Sequence, residues 1–314
     1  MTLAAPPDRV LKVAAFAAVY LIWGSAYLAM KIGVESIPPL LLAGVRSVIA
    51  GGALYAWGRW RGGPPPTAGQ WGLAAVIGGM MFLGGHGGLF WAIQRVPSGV
   101  ASLFIATIPI WMTLSQFLTE PVHRVGPRTV IGIVGGAIGI SILVGPGQFG
   151  GGEAIDPVGA VVLIGVAILW TIGSTIARRT APRSLTVTTG SYLLAGGIML
   201  LVASTMAGEM QVVQEQAILL RSVVAVAYLI VFGSIITFSA YNYLLRHSTL
   251  AKLSTYAYVN PVIALFLGWM FASEVLNSRV IMAATLVIGS VALNLSARAP
   301  AVDPKPPEPQ VGGR

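Results

Sequence analysis

Four side chains of chemical consequence lie deep inside long apolar runs: His86, Arg46, Trp23 and Trp170. His86 stands between Gly84-Gly85 and Gly87-Gly88, and it is the one histidine well inside such a run. Its imidazole can donate, accept or titrate. Two readings stay open: a ring satisfied by a backbone carbonyl or hydroxyl, or a polar handle for a bound molecule. Arg46 lies about eight residues into its run. A charge at such depth costs at least roughly 2.5–3.5 kcal/mol on insertion scales. It must find a carbonyl cluster, a carboxylate or water, and a substrate carboxylate is one candidate. Trp23 and Trp170 sit mid-run, whereas Trp57, Trp60 and Trp71 sit where interfacial anchors belong. A mid-run indole is either helix packing or a cavity wall, and its ring area and quadrupole suit aromatic or cationic molecules.

Residues three or four apart share a helical face. The stripes are Tyr20, Trp23, Tyr27; Phe82, His86, Phe90; Phe104, Thr107, Trp111; Trp170, Ser174; Ser234, Phe238, Tyr241; and Ser254, Tyr258. From them the expected substrate-binding residues are Trp23, Tyr27, His86, Phe90, Trp111, Trp170, Tyr241 and Tyr258. Asn242 and Asn260 can present amides to a substrate or bond between helices. Asp and Glu are absent from every run interior. Ion-coupled pumps often use buried carboxylates, so facilitated diffusion is favoured over loose coupling through His86. No Gly-x-Ser-x-Gly motif is present, and His86, His123 and His247 are far apart. A catalytic centre, a metal site and a cofactor are therefore not expected. A channel filter has no counterpart. Phosphate recognition would need several buried cations, and only Arg46 qualifies.

These side chains must be held by helices in a bilayer. The chain has 314 residues, 55% hydrophobic and 9% charged; soluble chains carry about 25% charged residues. Ten runs are long enough to span: Leu11–Lys31, Pro38–Trp57, Gln70–Ile93, Ser98–Leu118, Pro127–Val144, Pro157–Ala177, Ser184–Met206, Arg221–Leu245, Thr249–Phe271 and Val280–Ser296. With a cytoplasmic N-terminus, fourteen Lys and Arg fall in cytoplasmic segments and four outside. That asymmetry places both termini in the cytoplasm of an inner (plasma) membrane protein. The net charge of +9 is spread over short loops, which speaks against nucleic acid as a partner. The expected partners are a small-molecule substrate and the lipid bilayer. The first run is too long for a signal-peptide core, and the Pro-rich stretch 297–314 should be disordered. There is no cysteine.

The chain also repeats itself. Trp23-Gly24-Ser25 returns at Trp170, Ala50-Gly51-Gly52 at Ala195-Gly196-Gly197, Pro109 at Pro261, and Val130-Ile131 at Val280-Ile281, with an offset of about 145–152 residues. The expected organisation is a cytoplasmic segment 1–10, a first unit 11–144 and a second unit 157–296, with Gly145–Gly152 between the units. Five spans per copy is an odd number, so the second copy enters the bilayer inverted. The expected fold is an all-α polytopic membrane protein, ten transmembrane helices as two inverted five-helix repeats. Such repeats build a midplane site that opens alternately to either side.

Trp23-Gly24-Ser25 with Lys31, Arg46, Trp170 with Arg178-Arg179, Ser239-Ala240-Tyr241-Asn242-Tyr243, and Asn260-Pro261 followed by Glu274 together resemble the drug/metabolite transporter superfamily, in particular its EamA-like branch. The resemblance covers Leu11 to Ser296 and rests on motif order and the double copy. It implies a ten-helix exporter of small metabolites with a central cavity, similar to aromatic amino-acid exporters. A multidrug or organic-cation exporter of the same fold is the alternative, and a channel or intramembrane enzyme is the reading from another class. One departure is visible: Glu274 follows Pro261 by thirteen residues, but Glu120 follows Pro109 by eleven.

Overall fold

A computed structural model of the chain describes residues 8–119, 126–144, 155–180, 182–215, 217–248 and 255–296. The expected disordered tail 297–314, most of segment 1–10, the glycine-rich link 145–154, Glu120 and Ser254 lie outside the described residues. Among the described residues there is no strand. The helices are α1 (Asp8–Gly33), α2 (Pro39–Trp60), α3 (Ala68–Ile93), α4 (Ser98–Ala106 and Ile108–Thr119, broken at Thr107), α5 (Pro127–Val144), α6 (Pro157–Arg178) and α7 (Leu185–Met206). A short helix, Glu209–Glu215, follows α7. Then come α8 (Leu220–Tyr228, continuing through Leu229–Ile236 to Thr237–His247), α9 (Tyr256–Phe271) and α10 (Ser278–Ser296). The first eight numbered helices are long and apolar enough to cross a membrane, while α9 and α10 are shorter apolar helices. The expected ninth span began at Thr249, but the described helix begins at Tyr256.

Local chemistry sets these limits. Pro39 opens α2, where a missing N–H costs nothing. Thr67 and Gln70 form a capping box at α3. Asp156 caps α6, with Pro157 as its first residue, and Ser184 caps α7. Gly62 and Gly208, with φ of 82° and 75°, turn the chain away after α2 and α7 in a conformation glycine adopts without strain.

Packing follows pairs. α2 lies along α7 and α5 along α10; α1 packs on α8 and α9, and α6 packs on α3 and α4. Small residues let backbones touch. A Cβ added at Gly51 of α2 would stand 2.7 Å from the Leu194 nitrogen of α7. One added at Gly190 would stand 2.6 Å from the Tyr55 nitrogen. Large apolar side chains such as Trp60, Met206, Leu220 and Phe271 are exposed on the outside of the bundle, the distribution expected where lipid is the solvent.

Side-chain bonds gather alternate helix ends at one end of the bundle. There Glu209, just past α7, accepts from Leu40 and Leu41 N–H at the start of α2 (3.2 and 2.8 Å). Glu274, past α9, accepts from Ser98 and Gly99 N–H at the start of α4 (2.5 and 3.0 Å). Arg279 at the start of α10 donates to the Ile142 and Leu143 carbonyls at the end of α5 (2.6 and 2.8 Å). Arg221 at the start of α8 pairs with Glu35 past α1 (2.6 Å), and Arg95 past α3 lies 3.9 Å from Asp156 before α6. The numbered helices thus run alternately up and down, and each of these contacts joins a residue of α1–α5 or its loops to one of α6–α10.

Candidate functional site

The third helix of each half departs from α-geometry at mid-length. In α3 the stretch Gly79–Gly87 is π-helical, and in α8 the stretch Leu229–Ile236 is. Wide turns of this kind free backbone carbonyls and are frequent at functional sites. Each stretch receives the mid-run tryptophan of the opposite half. Trp23 donates through Nε1 to the Gly233 carbonyl of α8 at 3.1 Å. Trp170 stacks on His86 of α3, with ring centroids 5.5 Å apart and planes at 27°. Gly85 faces this indole, and a Cβ there would stand in ordinary contact, 3.4 Å from its Cε3.

Around Trp23 stand Phe238, Tyr241 and Tyr256, with centroids 5.7, 5.4 and 5.3 Å away. Around His86 stand Phe82 at 5.0 Å, Phe90 at 6.5 Å and Trp170. Arg46 joins the two groups. Its Nε donates to Ser234 Oγ of α8 at 3.0 Å, and its guanidinium carbon lies 5.8 Å from the Phe90 ring centroid. Arg46 is 5% exposed and His86 9%. Both keep polar atoms without an internal partner among the described residues: His86 Nδ1 has none, and the two terminal nitrogens of Arg46 have no bond. Of the partners expected for Arg46, a carbonyl cluster, a carboxylate or water, the described residues supply neither of the first two; they supply one serine hydroxyl and the Phe90 ring.

Five of the eight expected residues, Trp23, Tyr241, His86, Phe90 and Trp170, therefore fall in this continuous strip. Tyr27 is buried one turn further along α1, in the main apolar core. Trp111 is set apart, with Nε1 bonded to Thr107 Oγ1 at 3.1 Å beside the break in α4. Tyr258 packs against Ile110, Ala257, Val291 and Leu295. Asn260 is buried and its Oδ1 has no partner among the described residues; the Asn242 side chain lies outside them. Sequence reasoning missed Tyr256, whose spacing of four from Asn260 was the available signal. It also missed the π-helical stretches, to which the glycine pairs around His86 point.

At the end of the bundle away from the Glu209 and Glu274 contacts, a cavity of about 170 Å3 opens between the α2–α3 and α6–α7 connections, lined by Pro64, Gln70, Arg183 and Tyr192 among others. None of the eight expected residues lines it. Among the described residues no group of His, Cys, Asp or Glu could hold a metal ion.

The sequence model of the EamA-like transporter family matches this chain twice, over residues 11–145 and 157–296. The chain belongs to the EamA-like transporter family. Among curated relatives, an uncharacterized inner membrane transporter of Escherichia coli (strain K12), YedA, is 36% identical over 279 residues, 88% of each chain. The uncharacterized transporter YoaV of Bacillus subtilis (strain 168) is 25% identical over 88% of this chain and 94% of its own. The uncharacterized transporter sll0355 of Synechocystis is 27% identical over 82% of each. A solved crystal structure shares the fold, with a TM-score of 0.61 over 91% of this chain and 97% of its own at 22% identity. An EamA-like chain with this many apolar helices is a multi-pass inner-membrane transporter, not an enzyme, and its substrate is a small molecule. The strip from Trp23 to Trp170 is the part of it whose unmatched polar atoms and stacked rings suit such a molecule.

Proposed function

We propose that this protein exports small metabolites, aromatic or hydrophobic amino acids foremost, by alternating access between two inverted five-helix repeats. One observation carries the reading: each mid-run tryptophan docks on the π-helical stretch of the opposite half, so one strip is built from both halves. A molecule held there contacts both halves at once, and movement of one half against the other changes its access. The second match of the family over 157–296 and the opposed directions of α1 and α6 support the inverted repeat. The basic-residue asymmetry supports cytoplasmic termini, with the end bearing Glu209 and Glu274 facing outward. The cavity between the α2–α3 and α6–α7 connections then opens toward the cytoplasm. The reading leaves the eight residues named from sequence as substrate contacts, with Trp111 and Tyr258 nearer the edge of the strip.

Counterflow in liposomes containing the purified protein tests it. Vesicles are loaded with one of a panel of amino acids and organic cations, and exchange is followed with and without a pH gradient. Exchange of Phe, Trp or Leu above that of charged amino acids, unaffected by the gradient, is expected. Exchange of organic cations alone would favour the multidrug alternative, and exchange of nothing in the panel would remove the reading.

A further inference from the structure

Among the described residues, Arg46 is the one cation deep within the bundle interior that lacks a protein counter-charge. It lies on α2, 5% exposed, and bonds only through Nε, to Ser234. Its two terminal nitrogens, which carry four N–H donors, meet no acceptor among those residues. The described carboxylates stand at helix ends, and two of them, Glu209 and Glu274, are occupied by the backbone N–H groups of α2 and α4. A guanidinium with so little exposure and no carboxylate partner is unfavourable, since desolvating an unpaired charge is expensive. The Phe90 face at 5.8 Å offsets little of that, about 0.5–2 kcal/mol. The arrangement makes sense when something anionic arrives. With Nε held by Ser234 and the guanidinium carbon 5.8 Å from the Phe90 centroid, the head group is anchored at one nitrogen, and a planar fork matches a carboxylate with two parallel bonds.

We propose that Arg46 is the carboxylate subsite of this transporter: it holds the carboxylate of the transported molecule while the rings of the strip hold the apolar part. This deepens the reading above and rests on it for the location of the site. The inference separates the two exporter alternatives. A fixed positive charge with no partner repels an organic cation and attracts an acid or a zwitterion. The rings alone would accept either. His86, stacked on Trp170 and edge-on to Phe90, with no partner for Nδ1 among the described residues, lies beside the same ring.

The test varies the carboxylate and the side chain of the ligand independently. Binding to the purified full-length protein is measured for L-phenylalanine, L-tryptophan and L-leucine, for their carboxamides, and for phenethylamine and tryptamine. The wild-type protein is expected to prefer each acid over its amide by about 10–100-fold, the size of one charge-assisted pair. In Arg46→Gln that ratio should fall to near one, with the aromatic-over-aliphatic ratio unchanged. Arg46→Lys, which keeps charge but not the fork, should retain an intermediate ratio. An acid-to-amide ratio near one in the wild-type protein overturns the proposal, whether or not the variants fold. So does a ratio that survives in Arg46→Gln, and so does binding of none of the acids. Loss of the aromatic-over-aliphatic preference with the acid preference intact would instead count against the aromatic reading of the strip and leave Arg46 standing.

Discussion

Trp23 and Trp170 are equivalent by repeat, but they are held differently, and the difference predicts unequal mutants. Trp23 spends its indole N–H on the Gly233 carbonyl, whereas Trp170 is held by stacking on His86. Replacement of either by Ala removes most of the ring area and is expected to cut transport by about tenfold or more, since burying a large ring is worth several times RT. Trp170→Phe keeps the stack and should retain most activity. Trp23→Phe also loses the bond to the Gly233 carbonyl, so its activity should fall between that of Trp170→Phe and those of the two alanine variants. Transport normalised to folded protein, with substrate ranking, checks this; equal slowing of every substrate by all four variants would mean plain packing. These two residues were legible in the sequence because an indole mid-run is costly to explain as an anchor. Tyr256 was not, because a face can be phased only once the start of its helix is known. Tyr258, two residues further on, packs against the cluster of Ile110, Ala257, Val291 and Leu295, as Tyr256 also does.

Helix existence was legible at the level of elements; helix geometry was not. Apolar run length and breakers such as Pro38-Pro39 place ten helices, and eight of those described are long enough to cross a membrane. Hydrophobic content says nothing about whether a turn closes at four residues or five, so the π-helical stretches in α3 and α8 emerge only from the structure. Nor does composition say which of two adjacent glycines is required. Gly51 and Gly52 look the same in sequence, yet a Cβ at Gly51 meets the α7 backbone at 2.7 Å, while at Gly52 the nearest atom is 3.9 Å away. Gly51→Ala is therefore expected to push α2 from α7 and destabilise by about 1–3 kcal/mol, as overpacking does. Gly52→Ala should be neutral or stabilising by up to about 1 kcal/mol through helix propensity. Melting temperatures of the two variants in detergent decide it; equal shifts would show that α2 and α7 are not held by backbone contact at this point.

Across the whole molecule, the contacts between halves differ between the two ends. At one end Glu209, Glu274, Arg279 and the Arg221–Glu35 pair tie loops of one half to helix termini of the other. At the other a cavity lies beside the α2–α3 and α6–α7 connections, which still touch near Gly63 and Ser184. The sequence placed these charges on loops, but it could not say that two carboxylates act as caps for helices of the opposite half, because such a cap joins residues about 170 positions apart. If the tied end must open for export, its caps set how often it does. Glu274 holds two N–H groups at the start of α4, and each such charged bond contributes about 1.5–3 kcal/mol. Glu274→Gln keeps the shape and weakens both, so the population open at that end should rise by roughly tenfold. The chain has no cysteine, so a single reporter is clean. Val96 is fully buried at the tied end, against Gly159 of α6. With Val96→Cys as background, a membrane-impermeant maleimide added outside intact cells should label the Glu274→Gln protein about tenfold faster. Unchanged labelling, with Arg279→Gln also without effect, would mean that this end is a permanent seam and that access must change elsewhere in the bundle.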